Sequence, residues 1–382
     1  MSIEYPHLHL TDWPFRIVPD EFSCSFMADR IQLTSEVKTL LKNLSRQPTS
    51  SMHLMWAWFG AGKTHTLKYI QYLCNTEFTN IIPIYVEFPK ASKNFIDIYK
   101  SFISSIDLEI VNNAYLEIST NPNKDKFFKD LNNDFLDLSN ALKFLYQGNP
   151  QDKEIAIRWL RTEYKEKQIL KNIGVARPIQ TAEDAMKAIS WIIRIINMNS
   201  SFPGEIQRIL WMIDEFQRIE DLRKPVIDEI NSCIHSVFNR CPNGLSIVIS
   251  FSGYPEEKLP EWLSPEIRDR LSKRHFLLPP LSKDEALTFI KDVLKHFRNS
   301  SSNSSNEYFP FTHESTYAII KTIEDMAEKC KRHDEPKPRT LMRSFHMVLE
   351  EADSMIESGQ LKIIDSEFAL RILKGVSLIE ED

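Results

Sequence analysis

Apolar residues recur along the chain in two rhythms. Runs of three to eight, nearly all apolar, as at Leu54–Trp56, Ile81–Phe88, Ile209–Ile213 and Leu245–Ser252, predict strands buried on both faces. Between them the spacing turns helical: Leu33, Val37, Leu40, Leu41 and Leu44 predict a helix over Gln32 to Ser45, and Ile227, Ile230, Ile234 and Val237 predict another up to Phe238. Strands alternating with helices, each strand nearly all apolar, predict a parallel sheet covered on both faces. From Pro89 to Pro203 the rhythm is helical throughout, around Phe95 to Leu108, Ala141 to Leu145, Glu154 to Leu170 and Ala182 to Ile196, with Ile173-Gly174-Val175 as a break. That stretch is expected to be a helical insertion decorating the α/β domain. Beyond Pro279-Pro280 everything reads as helix, opened by Ser282 and Glu285 as a capping box and interrupted by the serine-rich loop Asn299 to Asn306. The expected domains are an aromatic segment and helix (1–50), an α/β core (51–275, insertion about 89–203) and an all-α C-terminal lid (276–382).

The 382 residues suffice for about two domains, and a formal charge of -6 argues against a surface devoted to nucleic acid. No apolar run reaches ~18 residues, and Met1 to Phe15 lacks the apolar core of a secretory leader, so a cytoplasmic protein outside the membrane is expected. Five scattered cysteines without C-x-x-C spacing read as free thiols, not as a zinc site.

Candidate chemistry begins where the first apolar strand gives way to Gly60-Ala61-Gly62-Lys63-Thr64-His65 and then to a helix. A glycine loop between strand and helix turns backbone N–H groups toward phosphate; Lys63 then reaches the β/γ oxygens and the Thr64 hydroxyl ligates Mg²⁺. Ala57 stands where this motif usually has its first glycine. Trp58 and Phe59, inside the loop, read as core packing. Met212-Ile213-Asp214-Glu215 places an acidic pair at the carboxyl end of a buried strand, where Asp214 would hold Mg²⁺ through water and Glu215 would orient or deprotonate the attacking water. The strand Leu245 to Ser252 presents Ser250 or Ser252 at its carboxyl end, and Ser252 is preferred because Gly253 and Tyr254 end the strand beside it. Arg268, Arg270 and Arg274 form an arginine group before the lid. A guanidinium offered by a neighbouring subunit neutralises charge on a γ-phosphate. Pro338-Arg339-Thr340 opens a lid helix from which Arg339 would reach the nucleotide.

Taken in order, G-A-G-K-T-H, M-I-D-E-F, S-F-S-G, E-I-R-D-R-L and a helical domain bearing P-R resemble the AAA+ ATPases. The helical lead containing Ala28-Asp29-Arg30 is similar to the initiator clade, which includes Orc1/Cdc6-type replication initiators and transposition regulators. Ala156 to Glu215 resembles ATPases of BREX-type anti-phage systems. The resemblance implies an α/β P-loop NTPase core with a lid, and ATP and Mg²⁺ as cofactors. Lys63 and Thr64 match Walker A, Asp214 and Glu215 Walker B, Ser252 the first sensor, Arg270 an arginine finger acting in trans and Arg339 the second sensor, with Arg30 near the adenine. After a lid that runs to the end of these 382 residues, the winged-helix domain of replication initiators is not expected. The expected function is therefore an ATP-hydrolysing oligomeric switch or motor working through a protein partner, with at most weak DNA binding of its own, in antiviral defense or mobile DNA. The alternative is a loader or adaptor that binds ATP and DNA with little or no hydrolysis.

Overall fold

The computed structural model describes residues 5–18, 23–47, 49–121, 124–164, 166–198, 207–253, 259–271, 275–299, 306–329 and 336–377. Phe22, Tyr254, Arg274, Cys330 and positions 300–305 of the serine-rich loop lie outside them. In chain order the elements are α1 (Ile31–Arg46), β1 (Ser51–Ala57), α2 (Lys63–Thr76), β2 (Ile81–Glu87), α3 (Phe95–Ser105), α4 (Leu108–Thr120), α5 (Lys124–Gln147), α6 (Pro150–Leu160), α7 (Lys167–Leu170), α8 (Ala182–Asn197), β3 (Arg208–Asp214), α9 (Lys224–Arg240), β4 (Leu245–Ser252), α10 (Pro265–Arg270), β5 (Phe276–Leu278), α11 (Lys283–His296), α12 (His313–Lys329), α13 (Pro338–Glu357) and α14 (Ser366–Ser377). The strands form one five-stranded parallel sheet in the order β2-β3-β4-β1-β5. Every residue of β3 and β4 is buried, as expected of central strands covered on both faces.

Two compact units divide the chain. One comprises 36–56 and 70–277, the other 1–35, 57–69 and 278–382. In the first, α8 is no decoration. Its Ile189, Trp191, Ile193 and Ile196 share one apolar core with Ile209, Trp211 and Ile213 of β3 and with Phe102 of α3, whose ring meets Trp211 edge-on at 5.3 Å. The insertion also holds a helix the periodicity missed: α4, capped by Asp107, which accepts from the Glu109 N–H. The single helix expected over Glu154 to Leu170 is instead two. Thr162, at φ 60, turns the chain left-handed after α6, a conformation no helix interior tolerates.

In the other unit Leu8, Leu10 and Phe15 are wholly or almost wholly buried, in one core with Leu281, Ile290, Leu341 and Phe345. The N-terminal segment thus completes the lid's apolar interior. The capping box is present: Ser282 Oγ accepts from the Glu285 N–H, and the Glu285 carboxylate accepts from the Ser282 N–H at 2.7 Å. No described helix is long and apolar enough to cross a membrane.

Candidate functional site

The phosphate loop leaves the end of β1 and enters α2. Ala57, the last residue of β1, is wholly buried and keeps negative φ, so nothing in its backbone requires a glycine. The left-handed positions are Gly60 (φ 80) and Gly62 (φ 99), where a side chain would be strained. Close approach constrains Gly60 a second time. A Cβ there would lie 3.2 Å from the Arg339 Cβ, and the Arg339 N–H donates to Gly60 O at 3.2 Å. The first residues of α13 and the phosphate loop are therefore neighbours within one unit.

Lys63 is 5% exposed, and its ammonium donates to Ala57 O and Trp58 O, each at 3.2 Å. A buried cation lying among loop carbonyls at the start of a helix suits an anionic ligand. Phe59 corrects the core-packing expectation. Its ring is 53% exposed, 5.8 Å from Trp58 edge-on, and the Lys63 Nζ lies 5.8 Å from its centroid. The Trp58 ring in turn lies under Lys337 Nζ at 5.4 Å.

His65 carries its imidazole away from the loop and toward the N-terminal segment. Its Nε2 lies 2.9 Å from Phe26 O and its Nδ1 3.7 Å from Cys24 Sγ. A carbonyl only accepts, so Nε2 carries the proton and Nδ1 is left as an acceptor for the thiol. Burial holds the ring's pKa below its ordinary value, which keeps it neutral. The side chain of Arg30 donates to Pro279 O at 2.8 Å, and burial lowers its pKa.

Next to Arg30, the Asp29 carboxyl is pushed up to about 6, first by burial and then by Glu285 and Asp292, with Arg30 opposing. A folded-state pKa above the ordinary 3.8 means that the native state loses stability as pH rises from about 4 to 6 and stays at that lower level above. Asp29→Asn removes the charge and tolerates the left-handed φ of 43. It is expected to raise Tm at pH 7 to 8, with the gain shrinking below pH 6. A thermal melt series that shows no gain at pH 8 would refute this.

A separate acidic pair ends β3. Asp214 is fully buried, and its carboxylate is organised by three donors: Ser250 Oγ (2.8 Å) and the Glu215 N–H (2.9 Å) on Oδ1, and the Tyr85 hydroxyl (3.0 Å) on Oδ2. Tyr85 sits on β2 in parallel register with β3, two positions before the pair Glu87 and Asp214, which lets its ring reach along the sheet edge. Burial and the neighbouring Asp214 raise the Tyr85 pKa, so it stays a donor. Sequence reasoning missed Tyr85 and ranked Ser250 second. The distinction between the two serines is visible only in three dimensions: Ser250 serves Asp214, whereas Ser252 Oγ is buried with no hydrogen-bond partner among the described residues.

Glu215 follows with φ 57, left-handed in a residue that rarely adopts it, a conformation that marks functional turns. Its Oε2 accepts from Gln217 Nε2 at 2.8 Å and lies 3.6 Å from Arg218. Arg218 is itself held by Glu87 (2.7 Å) and Phe88 O (2.6 Å). No described group donates to Glu215 Oε1.

Among the arginines before the lid, Arg268 is spent on Pro260 O at 2.7 Å. Arg270 is exposed at the end of α10 and pairs with no described residue.

Neither a family model nor a curated protein matches the sequence. Solved structures do. The chain is similar to the Orc1 protein of Aeropyrum pernix in complex with DNA, at 11% identity over 95% of this chain and 69% of that one, with a TM-score of 0.52. It is also similar to the Orc2 protein of Aeropyrum pernix in its ADPNP-ADP complexes, at 12% identity over 93% and 70%, with a TM-score of 0.51. Identity that low carries the fold and nothing finer: this chain has the AAA+ fold seen in these two proteins.

Proposed function

We propose that the chain binds and hydrolyses ATP and works as an oligomeric switch. The observation that carries this reading is the contrast between two adjacent carboxylates. Asp214 is buried and held by three donors, whereas Glu215 is half-buried, turned out by a left-handed backbone, and has one oxygen with no donor among the described residues. A module that only binds nucleotide has no need of the second carboxylate. Phosphoryl transfer to water needs it as a base or orienter, and otherwise asks mainly for positioning and charge neutralisation.

Roles follow from the chemistry of each group. Gly60, Ala61 and Gly62 would offer backbone N–H groups to the phosphates, Lys63 its charge, and Arg339 a second cation from the lid. Thr64 and Asp214 offer hard oxygen donors suited to Mg²⁺, which would neutralise phosphate charge. Ser252, whose hydroxyl lacks a described partner, would meet the γ-phosphate or the water. Exposed Arg270 would complete the site of an adjacent subunit. The expected partners are other copies of the chain and a second protein, with DNA bound weakly and in a salt-sensitive manner. A setting in genome defence rests on the resemblance of Ala156 to Glu215 alone, and one in mobile DNA on that of the lead containing Ala28-Asp29-Arg30.

A loader that holds ATP without splitting it is the alternative, and two contacts favour it. Arg218 and Gln217 both engage the Glu215 carboxylate, which restrains a base. Subunit mixing tests the main reading. Arg270→Ala and Lys63→Ala chains, each inactive alone, are expected to recover part of the wild-type ATP turnover when mixed. No recovery at any ratio, with both variants folded, would remove the trans role of Arg270.

A further inference from the structure

We propose that Gln217 is a positioning residue that fixes the direction of the Glu215 carboxylate from the end of β4. The inference rests on the ATPase reading above and adds a residue to it. The Gln217 amide is bonded at both ends: its Oε1 accepts from the Ser252 N–H at 2.9 Å, and its Nε2 donates to Glu215 Oε2 at 2.8 Å. A backbone N–H can only donate and a carboxylate can only accept, so this orientation of the amide is the one that satisfies both neighbours.

The bridge links two chemically separate places. One is the carboxyl end of β4, where the Ser252 hydroxyl is buried without a described partner and suited to a ligand oxygen. The other is Glu215, whose left-handed backbone directs the side chain but leaves its torsions unfixed. Gln217 occupies Oε2 and leaves Oε1 for water. A shift of Ser252 toward or away from a bound phosphate would thereby move the carboxylate that faces the water.

Two variants separate positioning from support. Gln217→Met keeps the length and loses both bonds. Gln217→Glu keeps the acceptor for Ser252 and replaces the donor to Glu215 with a like charge. Under positioning, both lower kcat for ATP, by up to about 100-fold as expected when a reacting group is misplaced by about an ångström, with KM and Tm close to wild type. Gln217→Glu should be the more severe. The proposal is overturned if Gln217→Glu turns over ATP like wild type, since the Ser252 anchor alone would then suffice. It is equally overturned if kcat in both variants falls only in step with Tm. Wild type and Glu215→Gln assayed alongside tell the two levels apart. A wild type that hydrolyses while Glu215→Gln does not, with Gln217→Met unimpaired, rejects this inference alone; a wild type without turnover rejects the ATPase reading and the inference with it.

Discussion

Glu215→Gln is expected to bind ATP as tightly as the wild type and to hydrolyse it about 10²- to 10⁴-fold more slowly, the range typical of losing a positioned general base. The substitution keeps size, and its amide oxygen can still accept from Gln217 Nε2. What it removes is basicity at the oxygen that no described protein group engages. The buried Asp214, held by Ser250, Tyr85 and the 215 N–H, is left as it was, so nucleotide occupancy has no reason to fall. Equilibrium ATP binding and saturating phosphate release on the same preparation give the two numbers. Loss of binding in parallel with turnover would mean that Glu215 supports the fold or the nucleotide, not the chemistry.

Trp191→Ala is expected to cost about 3–5 kcal/mol of stability, the range for truncating a large buried aromatic. The indole is almost wholly buried in α8. Its N–H donates to Asp134 Oδ2 at 2.7 Å, the Phe127 ring meets it edge-on at 5.5 Å, and the Arg194 guanidinium lies 3.9 Å from its centroid. Truncation opens a cavity between α5 and α8 and strips Asp134 of one donor, although Arg240 and Lys187 still pair with it. Urea denaturation followed by far-UV circular dichroism measures the loss. A cost below about 1 kcal/mol would show that the helical insertion is not part of the core that supports β3, because surface substitutions fall in that range.

The contrast between the insertion and the two candidate nucleotide motifs shows what the sequence discloses. The phosphate loop and the acidic pair were legible because each is a contiguous motif whose flanking strand and helix announce themselves by period. The insertion carries sixteen Lys and Arg against fourteen Asp and Glu, and its polar composition conceals that one face of α8 is as apolar as a central strand. Charge count averages over faces; burial does not.

The same averaging hid the N-terminal segment. Leu8, Leu10 and Phe15 lie too far apart to form a period, yet they pack with lid residues nearly three hundred positions away. Gln217 and Tyr85 were invisible for another reason. Each donates to a carboxylate placed by backbone geometry: the left-handed turn at Glu215 brings residue 217 back toward 215, and the β2–β3 register brings Tyr85 to Asp214. Neither residue type suggests such a role by itself. Ser252 and Ser250 share one face of β4, and alternation cannot say which of the two meets the acid.

The central claim is that this chain splits ATP through Glu215. Single-turnover release of labelled phosphate, from γ-labelled ATP bound with Mg²⁺ to wild type and to Glu215→Gln, tests it most directly. The account predicts that wild type releases phosphate from its bound ATP while Glu215→Gln holds the same ATP intact. Equal release from both, or none from wild type at full occupancy and across protein concentrations that permit self-association, would contradict it.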